Sequence, residues 1–142
     1  MKHKDKLIIF DTTLRDGEQS AGVSIALMDK IAIAEKLDAM KVDVIEAGFA
    51  AASSGALQAV QGICKVVKDA TVCCLARAKT EDIKIASLAL KLAVKPRIHT
   101  FFSTSARHLQ YQFAMTNEEA LELIKSSVRT ARHYCDDVKW TL

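Results

Sequence analysis

Residues 8–19 read IIFDTTLRDGEQ, and the second half of that stretch concentrates groups able to do chemistry. Asp11, Thr12, Thr13, Arg15, Asp16, Gly17 and Glu18 follow directly on an apolar run. Further along, VDVIEAG ends in Glu46 and Gly48, and RIHTFF carries His99 and Thr100 just ahead of Ser103, Thr104 and Ser105. A carboxylate, a base and a permanently charged guanidinium aimed at one rim could hold a divalent cation and a small anionic substrate. Plainer readings exist for each. Asp and Gly after a strand often serve only the turn, because they satisfy backbone groups and accept unusual dihedrals. Glu46 resists that account: a carboxylate inside an apolar run needs a partner once buried, and Arg15 is the obvious candidate. His99, between Ile98 and Thr100, reads equally well as a core histidine with a satisfied ring. His3, His108 and His133 read as surface residues, whereas Cys64 and Cys135 fall on helical stripes and read as core.

Elements must position these groups, and short β-type runs alternate with longer helical patterns throughout. The strand candidates are residues 7–12 (LIIFDT), 42–47 (VDVIEA), 70–76 (ATVCCLA), 97–102 (RIHTFF) and 137–142 (DVKWTL). Their continuous apolar character predicts parallel strands covered on both faces. Between them, Leu57, Val60, Cys64 and Val67 recur at three and four, as do Ile83, Ala86, Leu90 and Ala93. Leu121, Ile124, Val128, Ala131 and Cys135 make the clearest stripe, and Thr116 with Glu119 forms a capping box ahead of it. Residues 25–40 are apolar on too many sides for a clean stripe, but their composition and length predict a helix.

The pattern βαβαβαβαβ predicts an α/β protein with right-handed crossovers. Two architectures satisfy it: an open doubly wound sheet, or an arc of a (β/α)8 barrel. A whole barrel needs about 250 residues, and this chain has 142. In both, chemistry gathers at the carboxyl ends of the strands, where the polar clusters fall. A phospho-accepting receiver domain would need an aspartate ending the third strand; here that strand ends CLARAK.

Composition bounds the rest. Half of the residues are apolar, the net charge is +3, and five Gly with one Pro give no sign of disorder. The scattered charge argues against a nucleic-acid partner, and MKHKDK reads as a solvated tail over residues 1–6. No CxxC pair, secretory signal or long apolar run occurs, so the expectation is a cytoplasmic protein without membrane contact.

The stretch IIFDTTLRDGEQSAG resembles the opening of the 2-isopropylmalate synthase and homocitrate synthase family, within the metal-dependent aldolase barrels related to pyruvate carboxylase. The likeness continues through KVDVIEAGFAAASSGA, TVCCLARA, PRIHTFFSTSARH and YCDDVKW, in unbroken order over residues 7–140. It implies that residues 7–142 are the N-terminal half of a catalytic barrel: about four βα units and a fifth strand. It also implies a Claisen condensation of acetyl-CoA with a 2-oxo acid, 3-methyl-2-oxobutanoate, in leucine biosynthesis. Homocitrate and citramalate synthases, and a non-catalytic self-assembling half-barrel, are the alternatives. By position, Asp16 resembles the family's metal-binding aspartate and Arg15 the arginine that stabilises charge on the keto oxygen. Glu46 resembles the carboxylate orienting that arginine, His99 a substrate-side group, and Gly17 the residue allowing a sharp turn between them. The implied cofactor is a divalent metal, Mg2+ or Mn2+, with Zn2+ a further candidate.

The chain departs from the family where ligands are concerned. The family's HxH pair has no counterpart among His3, His99, His108 and His133. The expectation is therefore an incomplete site that binds metal weakly and is inactive alone. A half-barrel with open apolar edges is further expected to form homo-oligomers.

Overall fold

The computed structural model describes residues 6–142, so most of the expected tail over residues 1–6, including His3, lies outside the described residues. Five strands appear: β1 (Phe10–Asp11), β2 (Val44–Gly48), β3 (Thr71–Arg77), β4 (Pro96–Phe101) and β5 (Val138–Thr141). Helices α1 (Leu27–Ala39), α2 (Ser54–Val66) and α3 (Thr80–Ala89) link the first four. Between β4 and β5 lie a short turn of helix, α4 (Ala106–His108), a π-type turn over Leu109–Phe113, and α5 (Asn117–Tyr134). The expected strand and helix positions therefore hold to within a few residues, and only the first strand is markedly shorter.

All four strand pairings are parallel, and the spatial order is β1-β2-β3-β4-β5. That order decides between the two architectures. A doubly wound sheet reverses its strand order at a switch point, which places helices on both faces. With no reversal, right-handed crossovers put every helix on one side and the sheet curls as a barrel wall. The fold is a partial (β/α)8 barrel.

Alternation along the strands sorts the residues by face. Ile45, Ala47, Val72, Cys74, Ala76 and Ile98 join Val60, Ile63, Cys64, Ile83 and Ala86 in one core between sheet and helices. The opposite, concave face receives Val44, Glu46, Cys73, His99 and Thr141, which alternation places together. Helix α5 starts at the anticipated capping box: Thr116 Oγ1 accepts from the Glu119 N–H at 3.2 Å, and Glu119 Oε2 from the Thr116 N–H at 2.8 Å. Strand β1 is short because a side chain replaces part of its ladder. Asp43 Oδ2 accepts the Ile9 N–H at 2.9 Å, while the Ile9 carbonyl accepts from Val44 N at 3.0 Å. Asp38 plays a similar part at the turn into β3, where its carboxylate accepts from the N–H groups of Lys68, Asp69 and Ala70.

Candidate functional site

The polar cluster after β1 is a tight turn with a purpose. The Thr12 carbonyl accepts from the N–H groups of Arg15, Asp16 and Gly17 at 3.1, 2.8 and 3.1 Å. Leu14 is fully buried and anchors the turn. Gly17 was expected to permit this geometry through its conformational freedom, and that expectation is corrected. Its φ lies outside the left-handed region, and a Cβ there would meet nothing nearer than 3.8 Å. The turn is made by the Thr12 carbonyl instead.

Three of the anticipated residues then meet directly. Glu46, wholly buried on β2, accepts from Arg15 Nε at 2.6 Å through Oε2 and from His99 Nδ1 at 2.5 Å through Oε1. Because a carboxylate only accepts, His99 carries its proton on Nδ1, and in the neutral ring Nε2 accepts from the Thr141 hydroxyl at 2.9 Å. Asp16 joins from the solvent side: its Oδ1 accepts from Arg15 Nη1 at 2.7 Å, and its side chain is 62% exposed. Arg15 is thus clamped between two carboxylates, with one-fifth of its side chain still open to solvent. Burial pushes the Glu46 carboxyl up, but hydrogen bonds from His99 and Arg15 together outweigh it and hold the group below the usual carboxylate range.

Two further residues complete the concave wall, and sequence reasoning assigned neither to it. Cys73 lies beside Glu46 in the ladder, and one ligand atom from each of Glu46, Cys73 and His99 falls within 4.8 Å of the others. Those donor types could hold a metal. As they stand, both Glu46 oxygens and both His99 nitrogens are engaged, and burial holds the Cys73 thiol well above its ordinary pKa. Lys139 reaches over the Phe10 ring, its Nζ 3.9 Å from the centroid, so a side chain of β5 meets one of β1 across the curl. Phe10 also meets the His99 ring edge-on at 6.3 Å. The two-residue alternation could have placed Cys73 and Thr141 on the wall; nothing local indicates that the first and last strands approach each other.

The remaining candidates fall elsewhere. His108 and His133 are exposed, and Cys64 and Cys135 are buried on the helix side, as their spacing implied. Beside the carboxyl ends of β3 and β4 lies an apolar cavity of about 550 Å3, walled by Phe101, Phe102, Phe113, Met115 and Leu123 with Arg77 and Lys79 at its rim. Among the described residues no helix is long and apolar enough to cross a membrane.

Residues 6–142 match the family described as HMGL-like. The chain belongs to the HMGL-like family. Within it, the chain is 53% identical over 137 residues to the 2-isopropylmalate synthases of Methylibium petroleiphilum and Cupriavidus necator. Those alignments cover 96% of this chain and 27% of each relative, so the chain spans about a quarter of their length. Among solved structures, HMG-CoA lyase from Bacillus subtilis superimposes with a TM-score of 0.69 at 22% identity, covering 94% of this chain and 45% of the lyase. That likeness extends the barrel fold to this HMGL-like chain.

Proposed function

We propose that this chain supplies the arginine-bearing half of a 2-isopropylmalate synthase site, which condenses acetyl-CoA with 3-methyl-2-oxobutanoate. The supporting observation is the chain Asp16–Arg15–Glu46–His99–Thr141, held at the carboxyl side of a curled parallel wall. A guanidinium held in place by two carboxylates meets developing negative charge without reorganising, the arrangement that electrostatic catalysis requires. In this reading Arg15 stabilises charge on the keto oxygen, Glu46 fixes the arginine, and His99 contacts the oxo acid. The exposed Asp16 fits as one ligand of a divalent metal, Mg2+, Mn2+ or Zn2+, which when bound supplies Lewis acidity at the keto oxygen. Asp16 alone does not complete a coordination set, so the metal binds weakly to this chain. The apolar cavity beside Phe101, with Arg77 and Lys79 at its rim, suits the flexible arm of acetyl-CoA.

The chain is inactive alone in this reading, works in leucine biosynthesis in the cytoplasm, contacts neither nucleic acid nor membrane, and associates with itself through its open edges. Residues 7–142 act as one half-barrel unit. Four free, buried cysteines accord with a reducing compartment. Calorimetric titration of 3-methyl-2-oxobutanoate with Mg2+ present tests the substrate: weak binding is expected, and none would overturn the assignment. A CoA-release assay with both substrates is expected to show no turnover. Turnover that Arg15→Ala abolishes would show the site to be complete; turnover indifferent to Arg15→Ala would remove Arg15 from the mechanism.

A further inference from the structure

Glu46, Cys73 and His99 bring a carboxylate oxygen, a sulfur and a ring nitrogen within 4.8 Å of one another. They come from three adjacent strands, with Glu46 and Cys73 as ladder partners. Carboxylate, thiolate and imidazole are donors that tetrahedral zinc takes at about 2.0–2.3 Å, which sets its ligands about 3–4 Å apart. The contact of 2.5 Å between His99 Nδ1 and Glu46 Oε1 must therefore open slightly to admit an ion. The present partners of these groups allow it. The His99 proton, now on Nδ1 facing Glu46, can move to Nε2, where the Thr141 oxygen accepts it, and Nδ1 then offers a lone pair. Glu46 keeps Oε2 on Arg15 and turns Oε1 to the ion. Burial, with Glu46 alongside, now disfavours a Cys73 thiolate; a cation on the sulfur removes that penalty. The charges also close, because the ion and Arg15 together match Glu46, Asp16 and the new thiolate.

We propose that Glu46, Cys73 and His99 form a buried site for a thiophilic divalent cation, Zn2+ foremost, distinct from the oxygen ligand Asp16. Asp16 meets only Arg15 of this linkage and lies on its solvent side. On loading, the ion bonds to Cys73 Sγ, His99 Nδ1 and Glu46 Oε1. One proton, from the thiol, leaves for solvent, and nothing is oxidised or reduced. Three protein donors leave the fourth tetrahedral position to water. Mg2+ is excluded, because a hard cation keeps oxygen ligands in octahedral geometry. The inference goes beyond the synthase reading and does not rest on it, since no substrate takes part.

The test uses Co2+ as a stand-in for zinc, because a thiolate bound to it adds a charge-transfer band in the near ultraviolet that oxygen and nitrogen ligands do not produce. Co2+ is titrated into the full chain without oxygen, each addition followed until absorbance is steady, since the thiol is buried. Wild type is expected to show the band, saturating at one ion per chain. Zn2+ should bleach it, and a large excess of Mg2+ should not. Cys73→Ser is expected to abolish the band, whereas Cys135→Ser, which removes the most exposed of the four thiols, should keep it. Absence of the band in wild type, its survival in Cys73→Ser, or its loss to Mg2+ would overturn the site. Should Cys73→Ser not fold, X-ray absorption at the zinc edge of loaded wild type decides. One sulfur among nitrogen and oxygen neighbours is expected; no sulfur, or more than one, refutes the assignment.

Discussion

Replacing Glu46 by Gln and by Ala separates two things the carboxylate does. It bears a charge, and it joins Arg15 to His99 through contacts of 2.6 and 2.5 Å. Gln can keep both contacts. Its carbonyl oxygen accepts from Arg15 Nε, and its amide donates to His99 Nδ1 if the ring moves its proton to Nε2, from which the Thr141 oxygen can accept. The loss is then only the difference between charge-assisted and ordinary hydrogen bonds, about 1–2 kcal/mol. Ala removes both acceptors, leaving a largely buried guanidinium with only Asp16 and a buried imidazole without its Nδ1 partner, a loss of about 3–5 kcal/mol by analogy with broken internal pairs. With a urea m-value of about 2 kcal/mol per molar, the two variants should unfold about 1 M apart. Equilibrium unfolding followed by circular dichroism measures this. Coincident midpoints, or Gln below Ala, would refute the view of Glu46 as a two-sided connector.

The same group sets an acid limit. Its folded carboxyl lies below its ordinary value, so between the two the unfolded chain binds more protons. The stabilisation is therefore present above the ordinary carboxyl value of 4.5 and is lost as pH falls through the folded value. Glu46→Gln should flatten that acid slope, and an unchanged pH–stability curve would count against it. Asp38 shares the direction, because hydrogen bonds from Lys68, Ala70 and Asp69 outweigh its burial; Asp38→Ala should cost about 1–3 kcal/mol in the same denaturation assay. Thr116→Ala, which removes half of the capping box, should cost about 1 kcal/mol. Burial pushes the Cys64 and Cys74 thiols up to about 12 and the Cys73 thiol well above its ordinary value. These three should resist a thiol reagent at pH 8 until urea is added, and rapid labelling of folded protein would refute the packing described.

How far the residues announced this arrangement depends on how local each cause is. Strands β2 to β5 were legible because parallel strands covered on both faces are mainly apolar, and the segments around Val44, Val72, Ile98 and Val138 are, with Glu46, His99 and Lys139 as the departures. The capping box at Thr116 was legible because it involves residues three apart. Strand β1 was overestimated, since LIIFDT has the right composition but Asp43, 34 residues from Ile9, takes over the ladder contact. The pairing of Arg15 with Glu46 followed from a general rule, that a buried carboxylate requires a counter-charge. Cys73 and Thr141 lay within reach of the two-residue alternation, whereas the contact of Lys139 with Phe10 depends on curvature, which no short window encodes. Strand order carried the remaining information: it was undetermined until the ladders were known, and it alone distinguishes a barrel arc from a doubly wound sheet.

Curvature also leaves a specific deficit. The middle of the concave wall is already dry, with Glu46 and Cys73 wholly buried and His99 5% exposed, while Asp16 and part of Arg15 stay open to solvent. The edges are another matter. Leu7, Ile8 and Ile9 are 79%, 59% and 46% exposed along one side, and Leu142 is 78% exposed at the other. Next to that second edge, the Trp140 indole N–H and the Thr100 hydroxyl, ladder neighbours, are buried without partners among the described residues. Unpaired strand backbone flanked by apolar side chains adds further strands readily. The expected outcome is self-association driven by edges and not by the site. Light scattering at micromolar concentration should show dimers or larger species for wild type, and Ile8→Glu should shift them toward monomer without changing the circular dichroism spectrum. A folded wild-type monomer under those conditions would refute the edge argument while leaving the Arg15–Glu46–His99 linkage untouched, because no residue of that linkage lies on either edge stretch.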